Sequence, residues 1–271
     1  MAEVTVLLLD GLRRVDPSTP VLRADDLGVL RGESVFETVR IASGRPAFLE
    51  AHLTRLARSA DRVDLVLPAG WEDLALAACE GVGDGVLRLV CTKGSTGTGG
   101  TGFAVVTPIP EETLRGRREG VRVITLTLGI TAHQRAEAPW LLGGVKCTSY
   151  AVNMASLRHA HAEGADDAIW LSSDGQVLEA PTSTVVVLLD DELVTPPAEV
   201  GILAGTTLAA VGALSPVTSR PVSAAELARA QEVLLLSSVR GVAPVTALDG
   251  RELGIGSVGR ELRDAFEASL H

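Results

Sequence analysis

The sequence predicts an α+β fold with two domains, and three observations support this prediction. The 271 residues correspond to roughly two domains at about 150 residues each. Segments with an apolar period of two are interleaved with segments that have a helical period. Hydrophobic residues make up 46% of the chain and charged residues 21%, which is typical of a globular protein and excludes extended disorder or a coiled coil.

The domain boundary is expected where the composition becomes polar. The stretch from Pro108 to Gly120 is charged and begins with proline, which is typical of an interdomain linker. We therefore predict a small N-terminal domain over residues 1–110, a linker over 111–120 and a larger C-terminal domain over 121–271.

The N-terminal domain is predicted to combine strands with two helices, because the apolar period changes from two to that of a helix after Leu49. The predicted strands are Val4–Leu9, Ser34–Ala42, Val86–Cys91 and Phe103–Thr107, with a loop Gly94–Gly102 between the last two, and the predicted helices are Glu50–Val63 and Trp71–Glu80. Alternation in the second strand places Val35, Glu37, Val39 and Ile41 on one side and Phe36, Thr38 and Arg40 on the other.

The C-terminal domain is predicted to begin with the strand Val121–Leu128, followed by a loop that leads to Gly143 and Lys146. A helix over Ser149–Ala162 ends at Gly164, and Asp174-Gly175 is a hairpin signal. Further predicted strands are Asp167–Leu171, Val177–Glu179, Thr184–Leu189 and Val233–Leu236. One further helix is predicted to begin at Gly205, and a terminal amphipathic helix carries Val258, Leu262 and Phe266.

Charge and composition exclude several classes of function. The net charge is −10 and the isoelectric point is about 5.0, which argues against nucleic acids and anionic membranes as partners. No apolar run approaches the ~18–20 residues of a membrane span. Residues Met1–Asp10 have no basic leader before their apolar residues, so we expect no secretory signal. The three cysteines, Cys79, Cys91 and Cys147, lack metal-type spacing. We expect a cytoplasmic protein without a metal site.

Lysine chemistry has two candidates, because Lys93 and Lys146 are the only lysines in the sequence. Lys146 follows Gly143-Gly144-Val145 and precedes a predicted helix. A lysine that forms a Schiff base must be unprotonated part of the time, and a confined position between elements favours that. The alternative interpretation is an ordinary solvated loop lysine.

Three other features have a functional and a structural interpretation. Gly205-Thr206-Thr207 before an apolar helix is typical of a phosphate site, or of ordinary N-capping by threonine. Arg55 shares its helix face with Arg58 and Arg62, which favours a solvated basic surface. Glu179 stands at a predicted strand end, where carboxylates are commonly exposed.

Taken together, six segments in this order resemble class IV aminotransferases, the fold-type-IV enzymes that use pyridoxal 5′-phosphate (PLP). Residues 31–40, RGESVFETVR, resemble the family's G-D-G-x-F-E-T-x-R strand, and residues 48–56 resemble its E-H-x-x-R-L helix. The other matches are GVK at 144–146 with SY at 149–150, EAPTST at 179–184 for E-x-x-x-S-N, LVTP at 193–196 for L-x-T-P, and GILAGTT at 201–207 for G-I-L-x-G-x-T. Four positions depart from the pattern, namely Pro181 for a small hydroxyl residue, Thr184 for asparagine, Thr206 for isoleucine and Leu208 for arginine or lysine.

The resemblance implies a two-domain fold, with a small α/β N-terminal domain and a larger α+β domain, and a set of roles. Lys146 would form the Schiff base with PLP, Arg55 would contact its phosphate and Glu179 its pyridine nitrogen. The remaining cofactor-binding residues that it implies are Tyr150, Ser183, Thr184, Gly205, Thr206 and Thr207. Family members are usually homodimers, so a homodimer is expected.

Within the family, Thr38 favours 4-amino-4-deoxychorismate lyases, which typically keep a threonine where branched-chain aminotransferases have glycine. The resemblance therefore implies conversion of aminodeoxychorismate to 4-aminobenzoate and pyruvate, with Lys146 and Thr38 as catalytic residues and with Arg31 and Arg40 near the substrate carboxylates. The alternatives are a D-amino acid or branched-chain-type aminotransferase, and a PLP-binding relative without catalysis.

Overall fold

The structure, a computed structural model, describes residues 4–95 and 99–270. It divides into an N-terminal unit, which comprises the chain up to Pro110 together with Val145–Tyr150, and a C-terminal unit, which comprises Glu111–Gly144 and Ala151–Leu270. Residues 111–119, which the sequence predicts as linker, form a helix of the C-terminal unit. Residues 96–98 of the predicted loop lie outside the described residues.

The N-terminal unit contains an antiparallel sheet with two longer helices. Its strands are β1 (Thr5–Leu8), β2 (Arg13–Val15), β3 (Ser34–Ala42), β4 (Arg45–Pro46), β5 (Gly85–Thr92) and β6 (Gly102–Thr107), and its helices are α1 (Leu27–Leu30), α2 (Leu49–Asp61) and α3 (Trp71–Cys79). The strand order is β2-β1-β6-β5-β3-β4. The bounds predicted for β3 are confirmed, whereas β2 and α1 are too short to show a period in the sequence.

Helices α2 and α3 cover one side of this sheet. Val35, Val39 and Ile41, which are alternate residues of β3, are fully buried in a core with Leu56 of α2 and Leu74 of α3. The opposite side of β3 therefore carries Phe36, Thr38 and Arg40, because successive side chains of a strand point to opposite faces.

Residues 145–150 group with the N-terminal unit because their backbone pairs with β3. Phe36 N donates to Lys146 O over 3.1 Å, and Thr148 N donates to Ser34 O over 3.0 Å. Ser149 and Tyr150 group with this paired segment, and the helix predicted from Ser149 begins at Ala151 instead.

The C-terminal unit is a second, mixed sheet with helices. Its strands are β7 (Val121–Thr127), β8 (Asp167–Leu171), β9 (Thr184–Leu189), β10 (Glu192–Thr195), β11 (Thr218–Ser219), β12 (Glu232–Ser237), β13 (Gly241–Leu248) and β14 (Arg251–Glu252). Its helices are α4 (Glu111–Glu119), α5 (Ala132–Glu137), α6 (Ala151–Ala162), α7 (Thr206–Leu214), α8 (Ala224–Arg229) and α9 (Ser257–Ala268). Among the described residues, no helix is both long and apolar enough to cross a membrane.

The second sheet has the order β11-β10-β9-β12-β13-β7-β8, with β14 paired to β13. β7 runs parallel to both β8 and β13, whereas β9, β12 and β13 are antiparallel neighbours. β9 is buried along its whole length, which explains its continuous apolar sequence. The predicted strand Val177–Glu179 pairs only locally with β8, where Trp170 N donates to Glu179 O over 2.8 Å.

The loop predicted after β7 contains the short helix α5. Thr131 and Gln134 form a reciprocal capping box at its start, which satisfies two backbone donors of the first turn. The helix was missed because six residues are too few to establish an apolar period.

Candidate active site

Both backbone polar groups of Lys146 are hydrogen-bonded within the N-terminal unit. Its carbonyl accepts from Phe36 N in β3, and its own N–H donates to Ser59 Oγ in α2 over 3.1 Å. The lysine is thus attached to both a strand and a helix of the N-terminal unit, and it does not lie in a free loop.

The Lys146 amine lies against two aromatic rings. Nζ is 4.4 Å from the centroid of Phe36 and 5.6 Å from that of Tyr150, whose Oη is 3.5 Å away. The two rings meet edge to face at 5.2 Å. Because Lys146 is half-buried among these groups, the interpretation as a solvated loop lysine is wrong. Lys93, by contrast, forms an ion pair with Glu33 at 2.5 Å.

The predicted catalytic and substrate residues of β3 share the face of Phe36. Thr38 is half-buried and Arg40 is buried, two and four residues beyond Phe36 along the strand. Period-two alternation therefore places both on the side of the sheet where Phe36 meets Lys146. Arg31 lies outside β3, directly after α1, and is exposed.

Arg55 is buried on the other face of β3. Only 5% of it is exposed, whereas Arg58 and Arg62 are exposed, so the interpretation of Arg55 as part of a solvated basic surface is wrong. Its Nε and Nη2 donate to the two carboxylate oxygens of Glu37, each over 2.7 Å.

Glu37 also lies 2.7 Å from Nδ1 of buried His52, so three ionisable groups meet inside the N-terminal unit. Burial alone would raise the pKa of Glu37, but the hydrogen bonds from Arg55 and then His52 outweigh it and lower that pKa to about 2. Sequence reasoning did not assign a role to Glu37 or His52. The available signal was a carboxylate at a core-facing position between Val35 and Val39.

Glu179 of the C-terminal unit is oriented through both of its oxygens. Oε2 accepts from Leu203 N over 3.0 Å, and Oε1 lies 2.9 Å from Nη1 of Arg135. This second contact is an ion pair without the alignment of a hydrogen bond. The Glu179 side chain is 12% exposed, so the interpretation of Glu179 as an exposed strand-end carboxylate is wrong.

The start of α7 brings Thr206 and Thr207 together as buried residues behind the N-cap Gly205. The interpretation in which a threonine caps this helix is wrong, because glycine occupies the N-cap and offers no side-chain acceptor to the first turn. Thr206 Oγ1 is 3.5 Å from Ser238 Oγ. A Cβ at position 205 would lie 2.4 Å from Thr184 Oγ1, so Thr184 lies directly against the glycine.

Ser183 is connected to a buried ion pair in the same unit. Arg240 Nη2 donates to Asp167 Oδ2 over 2.6 Å and to Ser183 Oγ over 3.0 Å. Asn153 of α6 donates to Pro181 O over 2.6 Å. Both contacts hold the segment between Glu179 and Thr184, and neither Arg240 nor Asn153 was assigned a role from the sequence.

Comparison with known proteins decides the family. Residues 34–248 match the family model described as amino-transferase class IV. The chain belongs to the class IV aminotransferase family. It is therefore a PLP-dependent enzyme with the fold-type-IV architecture, which confirms the family, fold class and cofactor predicted from the sequence.

Individual class IV relatives resemble the chain over nearly its full length. A bifunctional aminodeoxychorismate lyase / D-amino acid transaminase of Mycobacterium tuberculosis is 40% identical, over 96% of this chain and 98% of the relative. The PLP-bound structure of a hypothetical aminotransferase from Mycobacterium tuberculosis has a TM-score of 0.94 at 38% identity and 98% coverage of each chain. The 4-amino-4-deoxychorismate lyase of Pseudomonas aeruginosa has a TM-score of 0.78 at 29% identity, over 98% of this chain and 99% of that one.

The donor groups of this class IV aminotransferase fit the parts of PLP one by one. The half-buried amine of Lys146 suits an aldehyde, and the carboxylate of Glu179, which contacts Leu203 N and the Arg135 guanidinium, suits a protonated ring nitrogen. The start of α7, with a glycine N-cap and two hydroxyls, suits a phosphate dianion.

Proposed function

We propose that this chain is an aminodeoxychorismate lyase that converts 4-amino-4-deoxychorismate to 4-aminobenzoate and pyruvate, and so supplies a precursor of folate. The observation that carries the proposal is the position of Thr38, half-buried on the β3 face where Phe36 meets the Lys146 amine. The similarity to a relative named as a bifunctional lyase and D-amino acid transaminase supports it.

The cofactor residues are assigned as the resemblance implies. Lys146 would hold the PLP aldehyde, with Tyr150 beside its amine. Arg55 and the start of α7, with Gly205, Thr206 and Thr207, would hold the phosphate. Glu179 would face the ring nitrogen. Ser183 and Thr184, in the same segment, would also contact the cofactor. When bound, PLP supplies an electron-withdrawing ring that stabilises negative charge at the amine-bearing carbon.

The chain's own residues then move the protons. The Lys146 amine would act as the base that takes the proton from the amine-bearing carbon of the substrate. Thr38 passes a proton toward the oxygen of the enolpyruvyl group, which leaves and becomes pyruvate while the ring becomes aromatic. Arg40, buried on the same face of β3, and Arg31 are proposed to bind the substrate carboxylates.

The test is to incubate the PLP-loaded protein with aminodeoxychorismate alone, without an amino acid or a 2-oxo acid. We expect equal amounts of 4-aminobenzoate and pyruvate from the wild type and none from Lys146→Ala. If the protein forms no 4-aminobenzoate and only transfers an amino group from an amino acid to a 2-oxo acid, the lyase proposal is wrong.

A D-amino acid transaminase activity is the second candidate. It is favoured by the double name of the Mycobacterium tuberculosis relative and by a D-alanine aminotransferase of Listeria monocytogenes that is 28% identical over 91% of this chain. Formation of pyruvate from D-alanine and 2-oxoglutarate would demonstrate it.

Two properties of the whole protein accompany this proposal. We infer a homodimer, as is usual in the family, and light scattering of the PLP-loaded protein will measure its mass. We also infer a cytoplasmic location, which the free thiols of Cys79, Cys91 and Cys147 support.

A further inference from the structure

Arg135 forms an ion pair with Glu179, although nothing in its local sequence distinguishes it from a surface arginine. It lies in α5, and its guanidinium Nη1 is 2.9 Å from Glu179 Oε1. Only 15% of the side chain is exposed. The guanidinium carbon also lies 5.7 Å from the centroid of the Trp170 ring, a distance at which cation–π attraction contributes.

The backbone of α5 is anchored from several directions. Asp174 Oδ1 accepts from Ala132 N over 3.0 Å, beside the capping box of Thr131. Two glycines approach Arg135 so closely that an added Cβ would lie 2.7 Å from its carbonyl oxygen at Gly143 and 2.8 Å from its carbonyl carbon at Gly201. The backbone from which the Arg135 side chain extends is therefore held in place. An arginine that only faces solvent would not need such an anchored backbone.

We propose that Arg135 is a positioning residue that acts through Glu179 on the pyridine nitrogen of the cofactor. This inference rests on the proposed role of Glu179. The permanent positive charge of the guanidinium beside Oε1 favours the charged form of this carboxylate, while the Leu203 N–H on Oε2 holds its orientation.

Electrostatics explains why this arrangement matters for the ring. A carboxylate taken partly out of water favours its neutral form unless a cation lies beside it. A neutral carboxyl would not stabilise a positive charge on the ring nitrogen. Each carboxylate oxygen has two acceptor sites, so a contact with one donor does not by itself prevent an oxygen from accepting from a ring N–H.

The experiment compares Arg135→Met and Arg135→Lys with the wild type, each loaded with PLP or with the analogue in which CH replaces the ring nitrogen. Dissociation of the bound cofactor is followed by its absorbance, without turnover. Arg118→Met is the matched control, because Arg118 is an exposed arginine of the same unit that pairs with Glu111 at 3.0 Å.

We expect Arg135→Met to bind PLP roughly tenfold more weakly, a loss at the low end for outer partners of a ligand-binding group. Arg135→Lys should lose less, because it keeps the charge, and Arg118→Met should match the wild type. With the CH analogue, wild type and Arg135→Met should bind equally well. Equal losses with both cofactors would show a merely structural role, and unchanged PLP affinity in Arg135→Met would also overturn the proposal.

A second arm keeps the inference separate from the lyase proposal. In a Glu179→Ala background, Arg135→Met should cause no further loss of PLP affinity, because the residue through which it acts is gone. Additive losses would contradict the inference. If the wild type binds PLP but yields no 4-aminobenzoate, the lyase proposal fails while this inference stands.

Discussion

Glu37 and Arg55 form a two-point ion pair inside the N-terminal unit, with both nitrogen–oxygen distances at 2.7 Å. Glu37 is fully buried in β3, and Arg55 extends to it from α2. The pair thereby fixes the direction of an arginine that we assign to the cofactor phosphate.

Replacing the carboxylate is expected to destabilise the fold. Glu37→Gln leaves the buried Arg55 charge without its counter-ion, and breaking a buried pair in this way costs about 3–5 kcal/mol. Urea unfolding of the PLP-free protein measures the change. The matched control is Glu111→Gln, which removes an exposed pair with Arg118 and should cost about 0–1 kcal/mol. Equal effects of the two substitutions would show that the buried pair contributes little.

The same carboxylate predicts an acid dependence of stability. The pKa of Glu37 is lowered from 4.5 to about 2, so its contribution to stability is complete above pH 4.5 and is lost as the pH falls toward 2. The free energy of unfolding of the wild type should therefore fall more steeply than that of Glu37→Gln across this window. Parallel curves for the two proteins would contradict the assignment.

Thr38 is expected to act on the reaction and not on cofactor binding. Thr38→Val removes the hydroxyl with little change of shape and should lower kcat for 4-aminobenzoate formation by roughly a hundredfold, the low end for lost proton transfer. The affinity for PLP, read from absorbance, should stay unchanged. Thr38→Ser retains the hydroxyl and is the control. A loss of PLP affinity that matches the loss of kcat would rule out the proton-relay role.

A side chain at position 205 is expected to be unfavourable because it would clash with a neighbouring residue. Its φ of −70° suits any residue, but a Cβ would lie 2.4 Å from Thr184 Oγ1. Gly205→Ala should therefore destabilise the protein by about 1–3 kcal/mol and weaken PLP binding, as measured by thermal unfolding and absorbance.

Two variants test that explanation. Gly212→Ala lies in the same helix with no atom within 4 Å of the added Cβ, and it should stabilise α7 by about 0.5–1 kcal/mol. Removing the opposing hydroxyl in Gly205→Ala/Thr184→Ala should recover much of the lost stability. Strictly additive effects at positions 205 and 184 would show that the close approach is not the cause.

Local pattern accounts for much of what was predicted correctly. The alternation of β3 places Glu37 with Val35 and Val39, and Thr38 with Phe36, because a strand has a period of two. Periodicity did not separate Arg55 from Arg58 and Arg62, which share its helix face. Arg55 differs from them only through its partner on β3, and a helix considered alone does not show which of its residues faces a buried carboxylate.

The amino-acid sequence by itself determined the family, the two-domain α+β fold, the cofactor and the positions of the longer strands, because these depend on local periodicity and on short motifs whose own residues are neighbours in the chain. Only the tertiary structure decided that residues 145–150 join the N-terminal unit and that Arg135 pairs with Glu179. The physical reason is that both depend on contacts between residues far apart in the chain. Such contacts form when a backbone edge or a buried charge finds a partner, and nothing in the neighbouring residues specifies which partner that is.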